Sequence, residues 1–146
     1  MRPNALVAEA FAAGTLPPLA GYTTLRPEVA YGKASRVDFL ATGEGMPPCH
    51  VEVKNCHLMR QPGLAEFPDC SAARCARHMA ELAVAAATGG RAMLIVVVQF
   101  PAQAFDAARC TEPAFDRAFP SAREWRRPLA GLRLYLRVRR SLSLSV

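Results

Sequence analysis

Two short stretches, Ser35-Arg36-Val37-Asp38-Phe39-Leu40 and His50-Val51-Glu52-Val53-Lys54-Asn55, decide the fold. Each alternates apolar and polar residues. Because successive side chains of a strand point to opposite faces, each stretch predicts a half-buried β-strand. If the two strands pair so that their Val and Phe side chains enter the core, the register turns Asp38, Glu52 and Lys54 toward the same opposite face.

That face predicts metal chemistry. Two carboxylates that converge on a sheet repel each other unless a cation lies between them, and oxygen ligands with open water positions suit Mg2+ or Mn2+. Lys54 could hold a water molecule or stabilise charge that develops on a phosphorus centre. The D-x13-E-x-K spacing therefore favours hydrolysis of a phosphodiester. The alternative is the solvated face of an ordinary hairpin, where Asp, Glu and Lys are common.

The rest of the chain predicts one mixed α/β domain over residues 1–140, with 141–146 as a tail or an edge-strand extension. Asn4 is expected to cap a first helix that Gly14 ends. An antiparallel meander is expected at 22–31, 35–42 and 49–59, followed by a loop at 62–68 and a helix at 70–88. The remaining expectations are a central strand at 92–98, a helix at 111–119 and a strand from Leu132.

Composition excludes several classes of protein. The chain has 146 residues, of which 51% are hydrophobic and 21% charged, as in ordinary globular proteins. Its longest run of large apolar residues, 92–98, is far shorter than the roughly 20 residues of a membrane-spanning helix. No secretory signal begins the chain, so a cytoplasmic protein is expected. The five Cys residues are odd in number and irregularly spaced, and no C-x2-C pair supports a structural zinc site.

The chain is basic. Lys and Arg number 18 against 12 Asp and Glu, and seven Arg lie between Arg123 and Arg140. Such a cluster attracts a polyanion such as DNA through counterion release, although a solvated basic face is the alternative. The apolar alternation at 142–146 could pair with a second copy at an open sheet edge, which would give a homo-oligomer.

An ordered series of motifs over residues 4–138 resembles the sugar fermentation stimulation protein A (SfsA) family. The motifs are Asn4-Ala5-Leu6-Val7-Ala8-Glu9-Ala10, Gly21-Tyr22, Glu28-Val29-x-Tyr31-Gly32, Ser35 to Leu40, Val51 to Asn55, Phe67-Pro68-Asp69, Arg74 with His78, and Gly90-Arg91-Ala92 leading into Val96-Val97-Val98-Gln99. The resemblance implies a restriction-endonuclease-like PD-(D/E)xK core of mixed α/β type, ordered helix, three strands, helix, strand, and it implies DNA binding.

The resemblance also implies roles for single residues. Asp38, Glu52 and the Val53 carbonyl would hold the metal ion, and Lys54 would orient the attacking water. Candidate nucleic-acid contacts are Arg36, Arg74, His78 and Gln99. Candidate accessory acids are Glu9, Glu28 and Asp69. The alternatives are a solvated helix face for Glu9, a cross-strand partner of Arg36 or Lys33 for Glu28, a helix cap for Asp69 and a surface pair for Arg74 and His78.

Two departures from the family pattern bear on function. Where the family has Thr-x-Arg-Gly after Phe-Pro-Asp, this chain has Ala72, Arg74 and Cys75, and Arg77 replaces the Lys before the His. The family's upstream oligonucleotide-binding-fold domain is also expected to be missing. Three hypotheses follow: a metal-dependent nuclease acting on DNA or RNA, a non-catalytic DNA-binding regulator of sugar metabolism genes, and a fragment or degenerate copy without activity.

Overall fold

The computed structural model describes residues 2–31, 35–67, 72–107 and 132–138, and for residues 72–76, 78–79, 105–107 and 132–138 it describes the backbone alone. In chain order the described elements are α1 Pro3–Ala12, a 3-10 helix Pro17–Leu19, β1 Thr24–Tyr31, β2 Ser35–Thr42, β3 Cys49–Cys56, β4 Leu58–Gln61, β5 Leu64–Phe67, α2 Ala72–Ala87, β6 Arg91–Val98, β7 Ala104–Ala107 and β8 Leu132–Val138. In this part of the chain, neither α-helix is long and apolar enough to cross a bilayer.

The main sheet is mixed, with the strand order β1-β2-β3-β6-β8. Strands β1, β2 and β3 form the predicted antiparallel meander, whereas β6 runs parallel to β3 and to β8. The mixed α/β class is therefore confirmed. As expected, the apolar strand β6 lies inside the sheet between two neighbours, although β3 is the middle strand of the five.

A second sheet of three short strands, β4-β5-β7, was not expected from the sequence. The predicted third strand ends at Cys56, β4 is a separate strand, and β5 occupies part of the predicted loop. Each of these strands has four residues, too few to show a clear period of two. The predicted helix at 111–119 and the apolar alternation at 142–146 lie outside the described residues.

Helix α1 begins differently from the expectation. Pro3 is its first residue and Arg2 its N-cap, and no side chain caps the helix. The capping role predicted for Asn4 is wrong because proline favours the first helical position, which moves the cap one residue upstream. The predicted end is confirmed. Gly14 has a φ of 65°, and the backbone bonds from Gly14 to Phe11 and from Thr15 to Ala10 close a Schellman motif.

Two hydrophobic clusters cover the two faces of the main sheet. We name them the α1-side cluster and the α2-side cluster after the helix in each layer. Residues of β6 alternate between them: Met93, Ile95 and Val97 belong to the α1-side cluster and Leu94 and Val96 to the α2-side cluster. Burial of each such side chain contributes about 1.5–3 kcal/mol, which fixes β6 and its neighbour β3 as a rigid platform.

The β1–β2 hairpin changes faces partway along its length. Phe39 packs in the α1-side cluster, whereas Val37, two residues earlier, packs in the α2-side cluster with Tyr31. The expectation that Val37 and Phe39 share one face is therefore wrong, although both are buried. The switch occurs at Glu28, whose φ of 52° is left-handed, and at Asp38 opposite it, because this conformation interrupts the strand alternation.

Candidate functional site

Asp38 lies where the pairing between β2 and β3 stops. The register runs through Ala41↔Cys49, Leu40↔His50 and Phe39↔Val51, and then ends. The next backbone N–H of β3 that faces β2, that of Val53, donates to Asp38 Oδ2 at 2.7 Å. In a continued ladder this N–H would bond to a backbone carbonyl of β2. The Asp38 carboxylate thus takes the place of the ladder bond at the point where the strands separate.

Helix α1 supplies a second donor to Asp38. The Asn4 side-chain amide donates to Asp38 Oδ1 at 3.0 Å. Both carboxylate oxygens are therefore oriented, one by a helix and one by a strand. Sequence reasoning assigned Asn4 to helix capping, and the signal against that assignment was the proline just before it.

Glu52 and Lys54 flank Val53 on β3 and form an ion pair, with Lys54 Nζ 2.5 Å from Glu52 Oε1. Glu52 is only 4% exposed, and a buried carboxylate needs such a partner because desolvation of its charge is costly. Strand β3 pairs with β6 along its whole length, which holds the pair in place. The structure therefore joins Glu52 to Lys54 directly and Asp38 to the peptide nitrogen between them.

A further set of polar residues near this pair was not found by sequence reasoning. Ser35 Oγ donates to Glu81 Oε2 of α2 at 2.6 Å, and Tyr31 lies opposite Ser35 in the hairpin register. The Tyr31 ring lies 5.5 Å from the His50 ring. Glu81 follows Arg77 by four residues on α2, so the two positions lie on the same side of the helix.

The Tyr31 phenol reports the charge of this region. Burial raises its pKa to about 12, and the carboxylates of Glu81, Glu52 and Asp38 add to the rise in that order. The hydroxyl therefore stays protonated at neutral pH and can donate a hydrogen bond. All three carboxylates therefore lie close enough to the phenol to act on its charge.

The candidate accessory acids are placed differently from one another. Glu9 is exposed on α1, and no ion pair joins it to another residue that the structure describes. Glu28 is exposed and lies opposite Asp38, between the pairs Pro27↔Phe39 and Val29↔Val37. Arg36 pairs in register with Ala30 rather than with Glu28. Asp69 lies outside the described residues.

The candidate nucleic-acid contacts are dispersed. Arg36 is exposed on β2. Gln99 follows β6 and donates to Asn55 Oδ1 at 3.0 Å, so its amide bonds within the protein. Arg74 and His78 lie one turn apart on α2, and their side chains are outside the described part of the chain.

Asp38 and Glu52 supply carboxylate oxygens, the type of ligand that Mg2+ prefers. Within the residues that the structure describes, no three His, Cys, Asp or Glu side chains form a group that could hold a metal. The candidate ligands are therefore the carboxylates of Asp38 and Glu52 and the backbone carbonyl of Val53. The N–H and the C=O of one strand residue point toward the same neighbouring strand. Because the Val53 N–H points toward Asp38, the Val53 carbonyl also points into the space where β2 and β3 separate. Mg2+ commonly binds through one or two carboxylates and keeps waters or substrate phosphates in its other positions.

Comparison with known proteins gives a consistent result. A family model described as the sugar fermentation stimulation protein RE domain, SfsA, matches residues 1–127. A sugar fermentation stimulation protein homolog of Methylorubrum populi is 76% identical over 121 residues, which is 83% of this chain and 49% of that protein. The homolog of Caulobacter vibrioides is 52% identical over 121 residues, covering 82% of this chain and 51% of that protein.

The chain is also similar to a solved structure, that of Pyrococcus furiosus SfsA in complex with Ca2+. The TM-score is 0.70 at 28% sequence identity, and the match covers 91% of this chain and 56% of the other. The chain therefore spans about half the length of the relatives it matches.

Proposed function

The chain belongs to the SfsA family, and from that premise we propose that it is a divalent-metal-dependent nuclease that hydrolyses phosphodiester bonds of DNA or RNA. We propose further that residues 1–140 form a restriction-endonuclease-like PD-(D/E)xK domain. The observation that carries the proposal is the bond from the Val53 N–H to Asp38, which brings one carboxylate to the peptide between Glu52 and Lys54.

Asp38, Glu52 and the Val53 carbonyl would hold Mg2+ or Mn2+. When bound, such an ion lowers the pKa of a water molecule and neutralises charge on the phosphate. The complex of Pyrococcus furiosus SfsA with Ca2+ supports a divalent ion as the ligand, since Ca2+ also prefers oxygen ligands.

Lys54 and Tyr31 carry the remaining chemistry. Lys54 has a side chain that is 24% exposed, so its ammonium group can reach both Glu52 and a substrate oxygen. There it orients the attacking water and stabilises charge that develops on the phosphorus centre. The protonated Tyr31 hydroxyl is available as a second donor to a phosphate oxygen. Of the candidate accessory acids, Glu28 is favoured because it lies opposite Asp38 in the hairpin.

The proposed partner is DNA, or RNA, in the cytoplasm. A formal net charge of +6 supports binding of a polyanion. The exposed Arg36 and the polar end of β6 at Gln99 are the proposed contacts on the described surface. Because phosphate contacts release counterions, binding by this chain is expected to weaken steeply as salt concentration rises.

The test is incubation with labelled single- and double-stranded DNA and RNA in Mg2+, Mn2+ or EDTA. Wild type should cleave at least one substrate with metal and none in EDTA, whereas Lys54→Ala and Glu52→Gln should lose nearly all of this cleavage. Arg60→Gln, which breaks an ion pair outside the site, is the matched control. Cleavage that persists in EDTA or in both site variants would overturn the proposal, and salt-sensitive binding without cleavage would point to a DNA-binding regulator instead.

A further inference from the structure

Asn4 makes a contact that the structure of its own helix does not require. It occupies the second position of α1, after Pro3, and the helix begins without a side-chain cap. The amide instead crosses to β2 and donates to Asp38 Oδ1 at 3.0 Å. The two residues are separated by 34 positions in the sequence, so this bond ties α1 to the sheet at one atom of the candidate site.

The bond matters because a single donor cannot fix a carboxylate. The terminal torsion of an Asp side chain is broad. If the Val53 N–H were the single donor, the Asp38 carboxylate could therefore rotate about the hydrogen bond to Val53. A second donor on the other oxygen defines the carboxylate plane. Each carboxylate oxygen accepts two hydrogen bonds, so both Asp38 oxygens keep an acceptor position after binding Asn4 and Val53.

We infer that Asn4 is a positioning residue, whose amide holds the Asp38 carboxylate in the orientation that binds the divalent ion. The inference rests on the proposed function, because it assigns the ion to Asp38. Partners that orient metal ligands commonly change metal affinity or activity by about 10- to 100-fold when they are removed. Asn4 does not touch the substrate in this assignment and acts only through Asp38.

The test is calorimetric titration of the full chain with Mn2+ in the absence of nucleic acid. Asn4→Ala removes the donor, and Asn4→Leu removes it while keeping a side chain of similar shape. Thr15→Ala is the matched control, since it removes a side-chain hydrogen bond to Ala10 at the other end of the same helix. Thermal unfolding of each variant in EDTA measures any purely structural effect.

Both Asn4 variants should raise the Kd for Mn2+ by about 10- to 100-fold, while their unfolding midpoints in EDTA stay close to that of Thr15→Ala. Affinities within twofold of wild type would overturn the inference and leave the proposed function intact. A loss of affinity matched by a midpoint far below that of the control would also overturn it, because the effect would then be structural. If wild type binds no Mn2+, the proposed metal site fails and the role of Asn4 fails with it.

Discussion

Two ion pairs in the described part of the chain join a nearly buried Glu to a cation at 2.5 Å, yet they are built differently. In the second sheet, Arg60 gives Glu66 three donors: Nη2 at 2.5 Å, Nε at 3.0 Å and its backbone N–H at 3.3 Å. In the main sheet, Lys54 reaches Glu52 through a single ammonium group.

The difference separates a structural pair from a candidate catalytic one. The Arg60 fork engages both Glu66 oxygens, and its hydrogen bonds hold the pKa of that carboxyl below its usual value. Lys54, in contrast, bonds to one oxygen of Glu52, and the phenol of Tyr31 senses Glu52 together with Glu81 and Asp38. A carboxylate closed by a guanidinium fork on both oxygens is poorly suited to bind a further cation, whereas neighbouring carboxylates such as those that act on Tyr31 favour a cation between them.

The largest expected effect tests this difference through activity. Lys54→Ala or Glu52→Gln should lower the cleavage rate by about 100- to 10,000-fold, the range for loss of an acid–base or charge-stabilising group. Glu66→Gln should cleave within a few-fold of wild type, because Glu66 lies in the other sheet. Single-turnover rates with Mg2+ measure both. Equal losses in the two sets of variants would remove the distinction between the pairs.

The second prediction concerns the pH dependence of stability. Because the folded-state pKa of Glu66 is lowered by Arg60, the pair stabilises the fold above the ordinary carboxyl value of 4.5. This contribution is lost as pH falls through the lowered value. Glu66→Gln should therefore lower the Tm at pH 7 by a few degrees, and the gap from wild type should close in acid. A gap that stays constant from pH 7 to pH 3 would contradict the assigned role of Arg60.

A smaller effect is expected at the contact between the hairpin and α2. Ser35→Ala removes the 2.6 Å hydrogen bond to Glu81 and should lower the free energy of unfolding by about 1 kcal/mol. Urea denaturation measures this change. Thr23→Ala, which removes an exposed hydroxyl just before β1, is the control. A change in Ser35→Ala no larger than the control would show that the bond contributes nothing.

The smallest effect should come from Glu28, whose left-handed conformation is unfavourable for a side chain with a Cβ. Asn tolerates this conformation, so Glu28→Asn should raise the free energy of unfolding by about 0.5–1 kcal/mol. If the Glu28 carboxylate serves the site opposite Asp38, the same variant should cleave more slowly. A variant that is more stable and equally active would show that Glu28 has no catalytic role.

The elements that the sequence predicted well are those with strict alternation or a long apolar pattern. Strand β2 matches its expected bounds, and α2 and β6 differ from theirs by one or two residues. The change of face between Val37 and Phe39 was missed because no Gly or Pro marks it within β2, and the available signal was Pro27, which precedes the left-handed Glu28 on the partner strand. The proximity of Glu52 and Lys54 could be predicted because residues two apart in a strand lie on the same face.

The contacts that the sequence did not predict join residues far apart in the chain. Asn4 to Asp38 and Ser35 to Glu81 span 34 and 46 positions. Periodicity within one element carries no information on such pairs, since they depend on how a helix is placed over the sheet. The short strands β4, β5 and β7 were missed for a related reason, because their pairing is set by the second sheet rather than by their own composition.

The most direct test of the metal site is a crystal structure of the chain soaked in Mn2+, with anomalous difference density collected for manganese. We expect a peak between the carboxylates of Asp38 and Glu52, at roughly 2.0–2.2 Å from an oxygen of each. A structure without a peak there, or with manganese bound only at other residues, would contradict it.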